Sequence, residues 1–94
     1  MSYDVAIIGC GVTGAAIAFE LSKYNLKTVI LEAENDVASG TTKANSGIIH
    51  AGYDPRPGTL MAILNALGSE YAPELCRKLN VPVKWTGSFV CAFD

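Results

Sequence analysis

Residues 3–32 contain two short apolar runs separated by a stretch of helical character. Residues 3–8 and 27–31 are rich in β-branched side chains, which is typical of short buried strands in a parallel sheet. Between them, residues 15–24 combine small and apolar side chains, as expected of a helix that packs closely on a sheet. The pattern predicts a strand–helix–strand unit whose first strand is covered on both faces.

A second helical pattern occupies residues 60–79. Apolar side chains recur there every three or four positions and would form one face, which we interpret as core: Leu60, Ile63, Leu64, Leu67, Tyr71, Leu75 and Leu79. Because proline lacks an N–H and clashes with the carbonyl four residues earlier, Pro73 predicts a kink or break between residues 68 and 73. Residues 81–85 and 88–93 then predict two strands around a Thr86-Gly87 turn.

The turn after the first strand has the sequence Gly9-Cys10-Gly11-Val12-Thr13-Gly14. In a Gly-x-Gly-x-x-Gly turn, the first glycine permits the tight turn and the second lets a diphosphate approach the backbone. The third glycine lets the helix pack close to the strand. The free N–H groups and the positive dipole end of the helix favour an anion at this position.

Glu32 ends the second apolar run, 18 residues after Gly14. This is near the spacing of about 20 residues at which an acidic side chain binds the ribose hydroxyls of a dinucleotide. Ala33 and Glu34 follow, so no arginine lies there to accept a 2′-phosphate, which disfavours NADP. This segment leaves NAD and the ADP half of FAD as equal alternatives, beside a purely structural turn.

Composition indicates that the apolar surface exceeds what a domain of this size can bury. The chain has 94 residues, of which 50% are hydrophobic, and a domain so short has a small interior. A doubly wound sheet needs about five strands, whereas the chain offers two parallel candidates. We therefore expect the N-terminal piece of a larger protein, or a chain that self-associates.

Charge and cysteine usage exclude several classes of partner. The net charge of −2 is spread without runs, so nucleic acid and anionic membranes are poor partners. The three cysteines form neither a disulfide framework nor a metal-ligand spacing, and we expect free thiols, a reducing compartment and no metal site. Without a signal peptide or a long apolar span, the sequence predicts a cytoplasmic protein.

Residues 39–47, with the sequence Ser-Gly-Thr-Thr-Lys-Ala-Asn-Ser-Gly, are unusually small and polar. Their hydroxyl and backbone N–H groups suit a second phosphate and flavin contact. The same composition is also typical of an ordinary solvated loop, and composition does not choose between the two. Residues 48–52 follow as a short apolar segment that ends in a turn.

The glycine turn, Glu32 and the sequence from Ser39 to Asp54 together resemble the N-terminus of FAD-dependent oxidoreductases of the D-amino-acid-oxidase superfamily. The glycerol-3-phosphate dehydrogenase-like branch is nearest, and L-2-hydroxyglutarate dehydrogenases are similar in the same stretch. The resemblance covers nearly the whole chain and implies FAD rather than NAD. The implied fold is α/β: an N-terminal βαβ of a Rossmann-like FAD-binding domain at 1–58, and the start of an α+β substrate domain at 59–94. The rest of the enzyme would be absent from this chain.

The resemblance also assigns cofactor contacts by position. The loop matching residues 39–45 would run along the FAD diphosphate and ribityl chain, and residues 46–50 would pass the isoalloxazine ring. His50 becomes a candidate near the flavin, with a structural histidine as the alternative, and the catalytic residues are otherwise unassigned. The expected cofactor contacts are Gly9, Gly11, Val12, Thr13, Gly14, Glu32, Ala33, Thr41, Thr42, Ser46 and Gly47.

The implied reaction is dehydrogenation of a small hydroxy substrate such as glycerol 3-phosphate, with hydride transfer to the flavin. A 2-hydroxy acid such as L-2-hydroxyglutarate is the alternative substrate. Residues that bind the substrate and remove its proton would lie beyond residue 94, so we expect these 94 residues alone to be inactive. A non-catalytic, truncated nucleotide-binding module is the alternative from another class.

Overall fold

The computed structural model describes residues 1–93. It contains two strands and two helices, in the order β1 (Val5–Ile8), α1 (Val12–Leu21), β2 (Thr28–Leu31) and α2 (Leu60–Lys78). These elements fall into two compact units, Met1–Gly47 and Ile48–Asp94. The first unit holds the glycine turn and Glu32.

Strands β1 and β2 form a parallel two-stranded sheet. Val5 lies opposite Thr28 and Ile8 lies opposite Leu31. The pairing continues past the strand ends, since the Gly9 amide donates to the Leu31 carbonyl at 2.7 Å. With α1 as the connection, this is the strand–helix–strand unit that the sequence predicts.

Ile7 is the buried residue of this sheet, with 7% of its surface exposed. Its Cγ2 lies 3.3 Å from the place that a Cβ on Gly14 would occupy, so Ile7 faces α1. Neighbouring strand residues point to opposite faces, and Ile8 is 88% exposed. The prediction that β1 is covered on both faces is therefore wrong for residues 1–93. Helix α1 covers the face that carries Ile7, and the face that carries Ile8 is exposed.

Helix α1 begins three residues before the predicted start at residue 15 and ends before the predicted residue 24. It begins early because the Ala15 amide donates to the Gly11 carbonyl at 2.9 Å, which makes Val12, Thr13 and Gly14 its first turn. It ends at Leu21, where Ser22 Oγ donates to the Phe19 carbonyl at 2.7 Å. The last two glycines of the motif thus bracket the start of the helix.

Helix α2 continues through Gly68 and Pro73. Of the predicted kink or break, the break is wrong, because one proline removes a single backbone hydrogen bond and the 19-residue helix continues on both sides of it. Thr59 caps the N-terminus: its side-chain oxygen accepts a hydrogen bond from the Ala62 amide at 3.3 Å.

The two strands predicted for residues 81–85 and 88–93 do not form. Apolar and β-branched composition favours a strand only where another strand completes the hydrogen bonds, and an isolated hairpin is marginally stable. Neither helix in residues 1–93 has the length and apolarity needed to cross a membrane.

Candidate dinucleotide-binding site

Glu32 folds back onto the glycine turn. Its Oε2 accepts a hydrogen bond from the Cys10 amide at 2.7 Å, and its Oε1 accepts one from the Glu34 amide at 3.0 Å. The amides of Glu34 and Cys10 stabilise the charged carboxylate and hold the pKa of Glu32 below its ordinary value. The acid at the end of β2 is therefore ionised at neutral pH and lies beside the turn, as its spacing predicts.

The outer glycines of the motif fix the path of the backbone. Gly9 has a φ of +93°, a conformation that side-chain-bearing residues rarely adopt. A Cβ added at Gly14 would collide with the carbonyl oxygen of Gly9. Gly14 therefore permits the close approach of α1 to the end of β1, and Gly9 makes the turn that brings them together.

The N-terminus of α1 offers three backbone donors. The Val12 amide donates to Oγ1 of Thr42 at 2.9 Å, across 30 positions of the chain. Within the part of the chain that the structure describes, the amides of Thr13 and Gly14 have no acceptor. Two N–H groups at the positive end of a helix are thus available to an anion.

Thr42 adds a third available donor at the same place, beside the Thr13 and Gly14 amides. A hydroxyl has one hydrogen to donate and two lone pairs. Since Oγ1 of Thr42 uses a lone pair to accept from Val12, its own hydrogen remains available to a ligand. The hydroxyl thus extends the row of donors from the helix outward.

Gly11 lets the backbone of the turn lie close to the Thr42 hydroxyl. A Cβ at Gly11 would lie 3.0 Å from Oγ1 of Thr42, closer than nearly all Cβ contacts in proteins. The absence of a side chain, two amides without acceptors and a hydroxyl are what a diphosphate group requires. The residues present therefore fit the ADP half of a dinucleotide.

The loop after β2 is tied to the turn at its start and is folded on itself further along. The Ala38 amide donates to the Cys10 carbonyl at 2.9 Å, with Ala38 in the left-handed region at φ +57°. Further on, the Asn45 side chain donates to the carbonyls of Thr41 and Thr42 and accepts from the Gly47 amide. Residues 39–47 are therefore folded on themselves by hydrogen bonds, and every residue among them except Thr42 is exposed.

Of the predicted cofactor contacts, the structure brings together Gly9, Gly11, Val12, Thr13, Gly14, Glu32 and Thr42. No hydrogen bond within residues 1–93 joins the remaining predicted residues to the turn: Ala33, Thr41, Ser46 and Gly47. Three residues that help to build the site were not predicted: Cys10, Ala38 and Asn45. Of these three, only Asn45 could have been predicted from its residue type, because asparagine side chains often form hydrogen bonds with nearby backbone groups.

His50 lies in the second unit, where its Nδ1 is 3.6 Å from Oδ2 of Asp54. Both side chains are more than half exposed. The two form an ion pair when the imidazole is protonated. This contact neither supports nor opposes a position for His50 near the flavin.

This fold and site define a protein of the dinucleotide-binding class. The family model described as DAO, FAD dependent oxidoreductase, matches residues 4–94, and the chain belongs to this family. Family membership implies FAD as the cofactor. The resemblance drawn from the glycine turn, Glu32 and residues 39–54 is confirmed.

Within this family, the chain is similar in sequence to enzymes of two kinds. The chain is 63% identical over 92 residues to a glycerol 3-phosphate dehydrogenase of Caloramator mitchellensis. This alignment covers 98% of the chain and 19% of the relative. It is 41% identical to a glycerol 3-phosphate oxidase of Mycoplasma genitalium, covering 97% of the chain and 24% of the relative. It is also 41% identical to a mitochondrial L-2-hydroxyglutarate dehydrogenase of Dictyostelium discoideum, in an alignment that covers 96% of the chain and 21% of the relative. The chain thus spans between 19% and 24% of the length of these relatives.

Proposed function

We propose that this chain is the ADP-binding part of a FAD-dependent dehydrogenase that oxidises glycerol 3-phosphate or a closely related hydroxy substrate. The identity of 63% with the glycerol 3-phosphate dehydrogenase of Caloramator mitchellensis supports this substrate class. The relatives named as glycerol 3-phosphate oxidases belong to the same class of reaction. One relative is named a dehydrogenase and the other an oxidase, so the proposal does not include the electron acceptor.

One observation carries the proposal: the Glu32 carboxylate and the donors at the N-terminus of α1 lie on the same turn. In this proposal the Thr13 and Gly14 amides and the Thr42 hydroxyl hold the diphosphate. Glu32 binds the adenosine ribose, because each carboxylate oxygen accepts one backbone hydrogen bond and keeps a further lone pair. Gly11 provides the space between these groups.

The chemistry belongs to the cofactor: bound FAD accepts a hydride from the substrate carbon. This chain binds and orients the cofactor. The loop containing Thr41, Thr42, Ser46 and Gly47 is proposed to follow the cofactor from its diphosphate toward the flavin. His50 is proposed as a residue near the ring, and we assign it no proton transfer.

The domain assignment is part of the same proposal. Residues 1–58 would form the cofactor-binding region and residues 59–94 would begin a substrate domain. Large apolar side chains support association with further polypeptide of the same enzyme or with another copy of the chain, since Ile8 is 88% and Phe89 is 95% exposed.

Two alternatives have their own support. The identity of 41% with an L-2-hydroxyglutarate dehydrogenase favours a 2-hydroxy acid as the second substrate candidate. A non-catalytic nucleotide-binding module is the alternative from another class, because the donors at the glycine turn would suit a bound nucleotide whether or not a reaction follows.

Retention of cofactor tests the proposal. The chain is incubated with FAD or with NAD, passed through gel filtration, and the protein peak is examined for flavin absorbance and for bound nucleotide. We expect flavin to elute with the protein and NAD to be lost. Retention of NAD with complete loss of flavin would refute the proposal.

A further inference from the structure

Asn45 lies outside the set of predicted cofactor contacts, yet its side chain makes more hydrogen bonds than any other side chain in the loop of residues 39–47. Its Nδ2 donates to the Thr41 carbonyl at 2.9 Å and to the Thr42 carbonyl at 2.8 Å. Its Oδ1 accepts from the Gly47 amide at 2.8 Å. The side chain therefore uses both of its hydrogens and one lone pair to close a turn around itself.

The residue that Asn45 holds is the one that contacts the helix. Its bond to the carbonyl of Thr42 fixes the backbone of Thr42, and the Thr42 side chain accepts from the Val12 amide at 2.9 Å. The backbone turn bonds of the loop, Lys43 to Gly40 and Ala44 to Thr41, are longer at 3.1 Å each. Asn45 is thus the side chain that sets where the Thr42 hydroxyl lies.

We propose that Asn45 is a positioning residue of the cofactor site, which holds the Thr42 hydroxyl against the N-terminus of α1 so that it donates to the diphosphate. The inference rests on the proposed FAD binding for its ligand. The coupling from Asn45 through Thr42 to Val12 can be tested without any ligand.

The proposal predicts that position 45 requires an amide. Aspartate has nearly the same shape and keeps an oxygen for the Gly47 amide, but it has no hydrogen to give to the two carbonyls. Ionised aspartate would also set a negative charge against those carbonyl oxygens. Asn45→Asp should therefore disturb Thr42 as much as Asn45→Ala does, although it is the more conservative change in size.

Two measurements on the chain test the coupling. The first is the position of the Val12 amide signal in a ¹H–¹⁵N NMR spectrum without ligand. The second is the dissociation constant for FAD, from quenching of flavin fluorescence. The variants are Asn45→Ala, Asn45→Asp, Thr42→Ala, Thr42→Ser and the double variant Thr42→Ala with Asn45→Ala. Asn25→Ala and Asn25→Asp are matched controls, because Asn25 is exposed and lies in the turn after α1.

We expect Asn45→Ala and Asn45→Asp to shift the Val12 signal in the same direction as Thr42→Ala, and to weaken FAD binding about tenfold. Both Asn25 variants should leave the signal and the affinity unchanged, and Thr42→Ser, which keeps the hydroxyl, should retain more affinity than Thr42→Ala. In the Thr42→Ala background, Asn45→Ala should cost no further affinity, since two residues that act through one contact are not additive.

Fully additive losses of affinity, or a Val12 signal that Asn45→Ala leaves in place, would overturn the positioning role. If the Val12 signal responds as expected while the unmodified chain binds no FAD, the proposed function fails and the coupling stands. If Asn45→Ala lowers the melting temperature but leaves both measurements unchanged, Asn45 is only structural and the inference is wrong.

Discussion

The Glu32 carboxylate accepts a hydrogen bond from the Cys10 amide at 2.7 Å, although the two residues are 22 positions apart. Parallel strands end at the same edge of a sheet, so β1 and β2 bring the turn after one and the acid after the other side by side. The bond fixes the backbone of the turn and the orientation of the acid at once. The carboxylate proposed to bind the ribose and the turn proposed to bind the diphosphate thus lie side by side.

Replacing Gly11 by valine should abolish FAD binding and leave the helix content unchanged. The new Cβ would lie 3.0 Å from Oγ1 of Thr42, in the space proposed for the diphosphate. We expect at least a tenfold loss of affinity, about 1.4 kcal/mol, measured by flavin fluorescence, with the far-ultraviolet circular dichroism of the parent. Gly68→Val is the control, since nothing lies within 4 Å of a Cβ there. Unchanged affinity would remove Gly11 from the site.

Replacing Gly14 by alanine should instead lower the stability of the first unit. The added methyl group collides with the carbonyl oxygen of Gly9, and a backbone atom can move aside only if α1 moves away from β1. Overpacking of this kind costs about 1–3 kcal/mol. Hydrogen exchange of the β1 and β2 amides measures it. Gly40→Ala, which adds a methyl group in open space, should leave exchange unchanged, and equal protection in both variants would contradict this account.

The stabilisation from Glu32 should depend on pH. Its pKa is lowered in the folded chain, so the carboxylate stabilises the fold at pH values above the ordinary glutamate range. This contribution is lost as the pH falls through the lowered pKa. Urea unfolding at several pH values should therefore show Glu32→Gln less stable than the parent at neutral pH, with the difference shrinking in acid.

Glu34→Gln is the matched control for that series. The Glu34 side chain is exposed, and within residues 1–93 its carboxylate accepts no hydrogen bond. Its substitution should change stability equally little at every pH. A constant gap between the Glu32→Gln variant and the parent, from neutral pH to below the glutamate range, would show that the ionised carboxylate contributes nothing.

Sequence patterns predict the parts of this structure that depend on neighbours in the chain. The apolar runs predict β1 and β2, and the spacing from Gly14 to Glu32 predicts that the acid reaches the turn. The contact between Thr42 and Val12 could not be predicted in this way, because it depends on the path of a loop across 30 positions. The family resemblance placed Thr42 among the candidates but did not identify its partner.

The errors have a common physical origin. A pattern states what a segment favours, and the outcome also depends on what the rest of the molecule supplies. Residues 81–93 have strand-forming side chains but no strand to pair with in the described chain, and Ile8 has an apolar side chain but no covering helix. Pro73 shows the reverse case, because the many remaining bonds of α2 outweigh one unfavourable residue.

The bonds from Cys10 to Glu32, from Val12 to Thr42 and from Ala38 to Cys10 all join groups of the chain itself. Because these bonds hold the turn, the acid and the loop together, a dinucleotide should lose little affinity to the ordering of loops. Association should consequently be fast and accompanied by little change in amide protection around the turn. The cofactor would then bind to the glycine turn, Glu32 and Thr42 without rearranging them.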